Sequence, residues 1–311
     1  MLDDLAVELP GWEEDRVTVV YDAERGCFYK VGQRRIDIIA KPGVIRVRVG
    51  LMRIVRELAV LSMVKKGVLD LHAAAFAVGR QAIVLAGPKK SGKTDFLLTM
   101  LASGKANLIS NDRVLVHLKD GSEYTYGIPT LVSIRYNTLL RFPRLRYGSS
   151  RLQALFHSAE SEFLNVVSPE DRAPPHGFSL NLSQIAERLD AGIVGGAPLA
   201  AIVFPDISQK TESWFLEPVD RHSGVPRLQK CLYGVQSGWQ SPTIFEKLIG
   251  SRMGDGAAQQ EAMVHRLAPR IPLFRGFLGH DTSGESAGAW LEALGEALSQ
   301  QCGNHHERST G

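Results

Sequence analysis

The chain has 311 residues, 44% of them apolar and 22% charged, with a net charge of +3. This is the composition of an ordinary soluble globular protein, long enough for one large domain or two modest ones. So mild a charge does not argue for nucleic acid.

Cys27, Cys231 and Cys302 lie far apart with no CxxC, which indicates neither a disulfide framework nor a zinc site. A reducing compartment fits. The acidic opening, MLDDLAVELPGWEEDR, is not a signal peptide. The longest nearly uncharged apolar run, 192–204, is too short to span a bilayer. A cytoplasmic protein with no membrane partner is expected.

In chain order, 16–21, 27–31, 35–39 and 44–49 read as short strands separated by turn residues, a small antiparallel layer over 1–49. Leu51, Ile54, Val55, Leu58, Leu61 and Val64 then form a helical stripe over 50–65. The runs 71–78 and 82–86 are joined by Gly79-Arg80-Gln81 and read as a hairpin. Parallel strands need a crossover of a dozen or more residues, so the strand at 82–86 is expected to have an antiparallel neighbour. A helix follows over 93–103, stopped by Gly104. Strands are expected at 107–110 and 114–118, and extended chain at 124–134 with Pro129 inside it.

Residues 135–151 interleave Arg135, Arg141, Arg144, Arg146 and Arg151 with Tyr136, Phe142 and Tyr147. They read either as a face for an acidic partner or RNA, or as a solvated edge. A helix at 180–189, strands at 199–204 and 214–216, a broken stretch at 221–259, a helix at 261–267, a strand at 273–279 and a last helix at 281–301 complete the order. That last helix starts with Thr282 and Glu285 as a capping box. The polar tail, 303–311, is expected to be disordered.

The chemistry concentrates at Gly87-Pro88-Lys89-Lys90-Ser91-Gly92-Lys93-Thr94, which fits the Walker A pattern G-x-x-x-x-G-K-[ST] between a strand and a helix. Such a P-loop holds phosphates on successive backbone N–H groups at a helix N-terminus. Gly87, Lys90, Ser91, Gly92, Lys93 and Thr94 are the candidate nucleotide-binding residues. Lys93 is placed to reach the β- and γ-phosphates, and Thr94 to offer its hydroxyl to Mg²⁺. Asp112 lies just past the next strand, where a carboxylate can organise Mg²⁺ or take a proton from an attacking hydroxyl. The bland readings are a glycine-rich turn at 87–94 and an Asp-initiated turn at 112. For His72, the bland reading is a satisfied core histidine.

Three pieces in this order resemble the HPr kinase/phosphorylase-like superfamily, which is similar in fold to phosphoenolpyruvate carboxykinase. They are Leu71-His72-Ala73-Ala74, the loop at 87–94, and Leu108-Ile109-Ser110-Asn111-Asp112. Weaker echoes lie at 200–205 and 266–273. The resemblance implies an α/β fold whose P-loop core has a mixed, largely antiparallel sheet, occupying 50–302 behind the small β-rich layer of 1–49. It implies ATP- and Mg²⁺-dependent transfer of a phosphoryl group to a hydroxyl, commonly a serine of a peptide or protein. Asp112 matches the family's acid/base carboxylate, and His72 its active-site histidine.

This chain departs from the family pattern at Lys89 and Lys90, where the family has Ser and Gly. It also has Thr94 for Ser, and Asn111 for the first Asp of an Asp-Asp pair. Lys90 would strain the backbone if its φ is positive, and would add a phosphate-directed charge. The signature segment of the bifunctional HPr enzymes is absent. The resemblance therefore points to divergent relatives, some acting on free serine and others on peptide precursors such as lasso peptides. Nucleic acid is not an expected partner, and a homo-oligomer is left open. The alternative is a nucleotide-binding regulator or scaffold that has lost transfer activity.

Overall fold

The computed structural model describes residues 11–14, 17–22, 26–32, 35–41, 46–119, 122–145, 178–206, 214–233, 253–279 and 285–307. The chain divides into two compact units, Met1–Asp70 with Leu232–Met263, and Leu71–Cys231 with Val264–Gly311.

In the first unit, β1 (Gly11–Glu14), β2 (Val17–Asp22), β3 (Cys27–Val31) and β4 (Ile36–Ala40) pair antiparallel in sequence order. Alternation along β3 buries Cys27, Tyr29 and Val31 and leaves Phe28 and Lys30 outside. Ile54 and Leu58 of α1 (Arg46–Lys65) pack on the buried face. The expected strand at 44–49 does not form over its described part, because α1 already begins at Arg46. Val47 and Leu51 continue the i, i+4 spacing backwards, and a helix once started adds residues cheaply. Leu51 and Val55, read as part of the inward stripe, are exposed. Further along, Gln260 on α6 (Met253–Leu267) accepts from Asp70 N–H and donates to Val68 C=O, both at 2.7 Å.

The second unit is an α/β arrangement around a mixed sheet. It contains β6 (Ala73–Val78), β7 (Gln81–Ala86), β8 (Asn107–Ser110), β9 (Val114–Lys119), β10 (Ser122–Gly127) and β13 (Gly196–Pro205). Their order is β9-β10-β13-β7-β6-β8. The strand β5 (Leu69–Leu71) precedes β6, and β11 (Val132–Ile134) pairs separately with β12 (Phe178–Leu180). The strand β15 (Leu273–Phe277) runs parallel to the second half of β13, with β14 (Phe215–Pro218) antiparallel beyond it.

The hairpin read from the sequence forms: β6 and β7 pair from Ala73↔Ala86 to Val78↔Gln81, and Gly79 supplies φ 57° in the turn. The other neighbour of β7 is β13, and that pair is parallel. This register brings several chain segments to one sheet edge. Ala86 ends β7 opposite the start of β6, Ser110 ends β8 opposite Ala75, and Pro205 ends β13 beside the end of β7.

The core forms where α2 (Lys93–Ala102) packs on β6. Phe96 stacks with Phe76 at 6.5 Å between ring centroids and meets Trp290 edge-on at 5.1 Å. Trp290, on α7 (Glu285–Glu307), is fully buried and donates its indole N–H to Phe215 C=O. The helix α7 runs on past the stop expected at 301 and into the tail expected to be disordered, although Gly303 and Asn304 are poor helix formers. The capping box proposed at 282–285 begins outside the described residues.

Residues 136–145 fold as α3 (Tyr136–Arg141) and a 3₁₀ turn, Pro143–Leu145. The rest of the arginine-rich segment, 146–151, lies outside the described residues. The helix α4 (Leu182–Leu189) is held by a reciprocal cap between Asn181 and Gln184, and α5 (Arg221–Gln229) forms in the stretch read as broken. Among the described residues no helix is long and apolar enough to cross a membrane.

Gly127 lies where β10 passes closest to β8, and a Cβ there would fall on the Ile109 carbonyl. Gly127→Ala is expected to destabilise the protein by about 1–3 kcal/mol, the usual cost of overpacking, measured as a lower urea midpoint.

Candidate functional site

The 87–94 loop joins the last residue of β7 to the first turn of α2. Two backbone conformations shape it. Gly92 caps α2 with φ 91° and makes no side-chain cap, so the exposed N–H groups of the first turn are left to other acceptors. Lys90 has φ 72°, the left-handed region that L side chains rarely adopt. The strain anticipated for a lysine here is therefore present. Gly87 is required for a different reason, since a Cβ on it would sit 2.5 Å from Ser91 Oγ and 3.8 Å from Pro205 Cδ. Ser91 N–H donates to Pro88 C=O at 3.2 Å, closing a tight turn over 88–91. Its hydroxyl oxygen is buried with no hydrogen-bond partner among the described residues.

Lys93 points inward. It is 8% exposed, and its ammonium donates to Gly87 C=O at 2.7 Å and Pro88 C=O at 2.9 Å. An ammonium has three protons, so one remains for another acceptor. Burial lowers its pKa from 10.5 to about 8, and Cys231 and Asp112 oppose that shift. Thr94 is half-buried on the first turn of α2. Asp95, next to it, accepts from the Thr138 hydroxyl at 2.6 Å and lies 3.5 Å from Arg141. The helix α3 is thereby tied to the start of α2.

Asp112 and His72 meet at this edge of the sheet. Ala73 N–H donates to Asp112 C=O at 3.2 Å, and Ser110 Oγ donates to Arg113 C=O at 2.7 Å, so the 110–113 turn is held at both ends. His72 Nδ1 is 3.4 Å from Asp112 Oδ1. The Asp112 carboxylate remains open to solvent over about a third of its surface, whereas His72 is largely covered. Asn111 is buried, and its side-chain oxygen has no partner among the described residues. The structure thus brings Gly87, Lys93, His72 and Asp112 to one edge. Lys93 and Asp112 are close enough to feel each other's charge.

Cys231 belongs to this neighbourhood too. Its carbonyl accepts from His72 N–H at 2.7 Å, and burial pushes its thiol up to about 11 against the opposing pull of Lys93. Nothing local in the sequence marks it, since it follows an ordinary helix far along the chain. Asp206 was also missed. It follows β13 directly and lies 3.5 Å from Arg275, which also bonds Glu217 at 2.6 Å. Like Asp112, Asp206 is an acid just past a strand. Among the described residues no three His, Cys, Asp or Glu side chains cluster as a metal site.

The chain matches no protein-family model, and no curated protein is significantly similar to it.

Lys93 generates a pH prediction. Its folded pKa lies below its unfolded one, so between pH 8 and 10.5 the unfolded chain binds more protons and this residue's contribution to stability rises with pH. Anion binding has the opposite sign, because it needs the ammonium. The association constant for sulfate, whose charge is fixed here, should fall by up to about tenfold per pH unit above pH 8, measured by titration calorimetry. The strain at Lys90 gives a second expectation. Lys90→Gly should stabilise the ligand-free protein by about 1 kcal/mol in urea denaturation, where a lysine already relaxed at that position would give no gain.

Proposed function

We propose that this protein is an ATP- and Mg²⁺-dependent kinase of the HPr-kinase-like type, transferring a phosphoryl group to the hydroxyl of a serine-bearing peptide or protein. The observation that carries the reading is the convergence at one sheet edge of the 87–94 loop, with its buried Lys93, and the His72–Asp112 pair. Two of the four orphaned side-chain oxygens among the described residues, Ser91 Oγ and Asn111 Oδ1, support it, because buried polar atoms without partners are costly unless something else satisfies them.

The donor set suits the group. Mg²⁺ is commonly held by one or two protein oxygens together with substrate phosphates and water. Thr94 and Asp112 are hard oxygen donors of that kind, and no all-protein cage is needed. Bound Mg²⁺ supplies charge neutralisation at the phosphate oxygens as the bond to the leaving diphosphate breaks.

The chain's residues then divide the work. Backbone N–H groups of Lys89, Lys90 and residues 92–94 hold the phosphates at the start of α2. Lys93, with two protons fixed on loop carbonyls, directs its third to a phosphate oxygen and stabilises charge that develops during transfer. Asp112 takes the proton from the acceptor hydroxyl as its oxygen forms the new bond to phosphorus. His72 flanks the same carboxylate and orients it. A cytoplasmic location, where ATP is available, belongs to this reading.

A second reading has its own observation. Asn111 replaces an acid with an amide beside Asp112, as in a regulator that binds nucleotide without transferring phosphate. Incubation with γ-labelled ATP and serine-bearing acceptors separates the two. Label in the acceptor supports the kinase, whereas tight ATP binding with no transfer selects the regulator.

For the kinase, Lys93→Ala and Asp112→Asn should each lower transfer by at least about 10²-fold with the circular dichroism spectrum unchanged. Near-normal turnover in Asp112→Asn would remove that residue from the base role.

A further inference from the structure

We infer that Lys90 is the residue by which the 87–94 loop distinguishes a triphosphate from a diphosphate: its ammonium takes the terminal phosphate, and that contact is what the strained backbone at this position serves. The inference deepens the nucleotide-binding reading above and rests on it.

Lys90 occupies the third position of the turn that Ser91 N–H and Pro88 C=O close, with φ 72°. In a type II turn, positive φ at that position is glycine's place. Glycine would serve the backbone better, so what lysine adds is a cation. Strained residues of this kind persist at ligand clamps, or where surrounding contacts force the conformation. Here the turn hydrogen bond holds the backbone, and the side chain adds no contact of its own. Lys90 is exposed, and among the described residues its ammonium has no hydrogen-bond or ion-pair partner.

Two of the loop's three lysines, Lys90 and Lys93, place their charge on opposite sides, outside and inside. The Lys93 ammonium is buried and already bonded to the carbonyls of Gly87 and Pro88. The Lys90 ammonium is outside, with no partner among the described residues. Between them in the chain, the Ser91 hydroxyl oxygen is buried and unpartnered. A ligand that stops at Lys93 leaves Lys90 unmatched. A phosphate chain longer by one unit, carrying more negative charge at its end, matches both cations.

Titration calorimetry with ATP, ADP and inorganic tripolyphosphate, each with Mg²⁺, tests this on the full chain. The wild type should bind ATP and tripolyphosphate about tenfold tighter than ADP, the gain that one charge-assisted contact supplies. Lys90→Ala, which keeps a non-glycine backbone but lacks the charge, should shrink that preference several-fold to what Lys93 alone supplies, and weaken ATP more than ADP. Lys90→Gly should do the same, and Lys90→Arg should retain the preference. Raising the salt concentration should shrink the gap in wild type more than in Lys90→Ala, because the contact is ionic. An ATP-to-ADP ratio in Lys90→Ala equal to that of wild type overturns the inference and leaves nucleotide binding standing. A wild-type chain that binds neither ATP nor tripolyphosphate overturns the nucleotide reading together with it.

Discussion

The candidate site depends on the way β7 is paired. An antiparallel strand on one side and a parallel one on the other give its C-terminal end neighbours of opposite direction. An all-parallel sheet would place only strand ends, and the loops that follow them, along that edge. Here the start of β6 is there as well, and His72 stands immediately before it. The next antiparallel pairing, β6 with β8, returns the chain to the same edge and delivers Asn111 and Asp112. The turn of the hairpin at Gly79 is therefore a condition for the site, although it lies at the opposite end of the strands.

On this frame Lys93 is the buried cation of the loop. Lys93 lies in a low-dielectric setting that disfavours its charge, and its nearest compensation comes from two loop carbonyls rather than from a full carboxylate partner. A buried ammonium held only by neutral acceptors gains most from an anion brought to it. Asp112 is close enough to raise its pKa but remains partly in solvent. The thiol of Cys231 shares the same pocket of low polarity and stays protonated near neutral pH.

Much of this was legible in the sequence because the signals were local. The spacing of the 71–86 runs specified the hairpin, the glycines and Lys93 marked the loop, and Asp112 followed its strand directly. The possible strain at Lys90 was visible too, since one position in the loop pattern called for glycine. What was hidden depended on distant partners. Alternation and propensity could not show that β13 runs parallel to β7, or that Cys231 returns to His72. The strand expected at 44–49 failed over its described part because β-branched residues also tolerate a helix when the apolar spacing continues into it. Leu51 and Val55 of the stripe read on α1 are exposed for the same kind of reason: periodicity locates a face but does not say how wide a contact covers it.

The burial of α2 bears on how the site can respond to a ligand. Phe76 and Trp290 grip Phe96 from the sheet and from α7, and the Trp290 indole is fastened to Phe215. The helix thus has little freedom to rotate or slide without dismantling the core. Adjustment must be confined to the few residues between Gly87 and Gly92, so loop and helix belong to different levels of local stability. Amide hydrogens in the body of α2 should exchange with solvent only on global opening. Those of the loop should exchange through small local excursions that a bound anion suppresses.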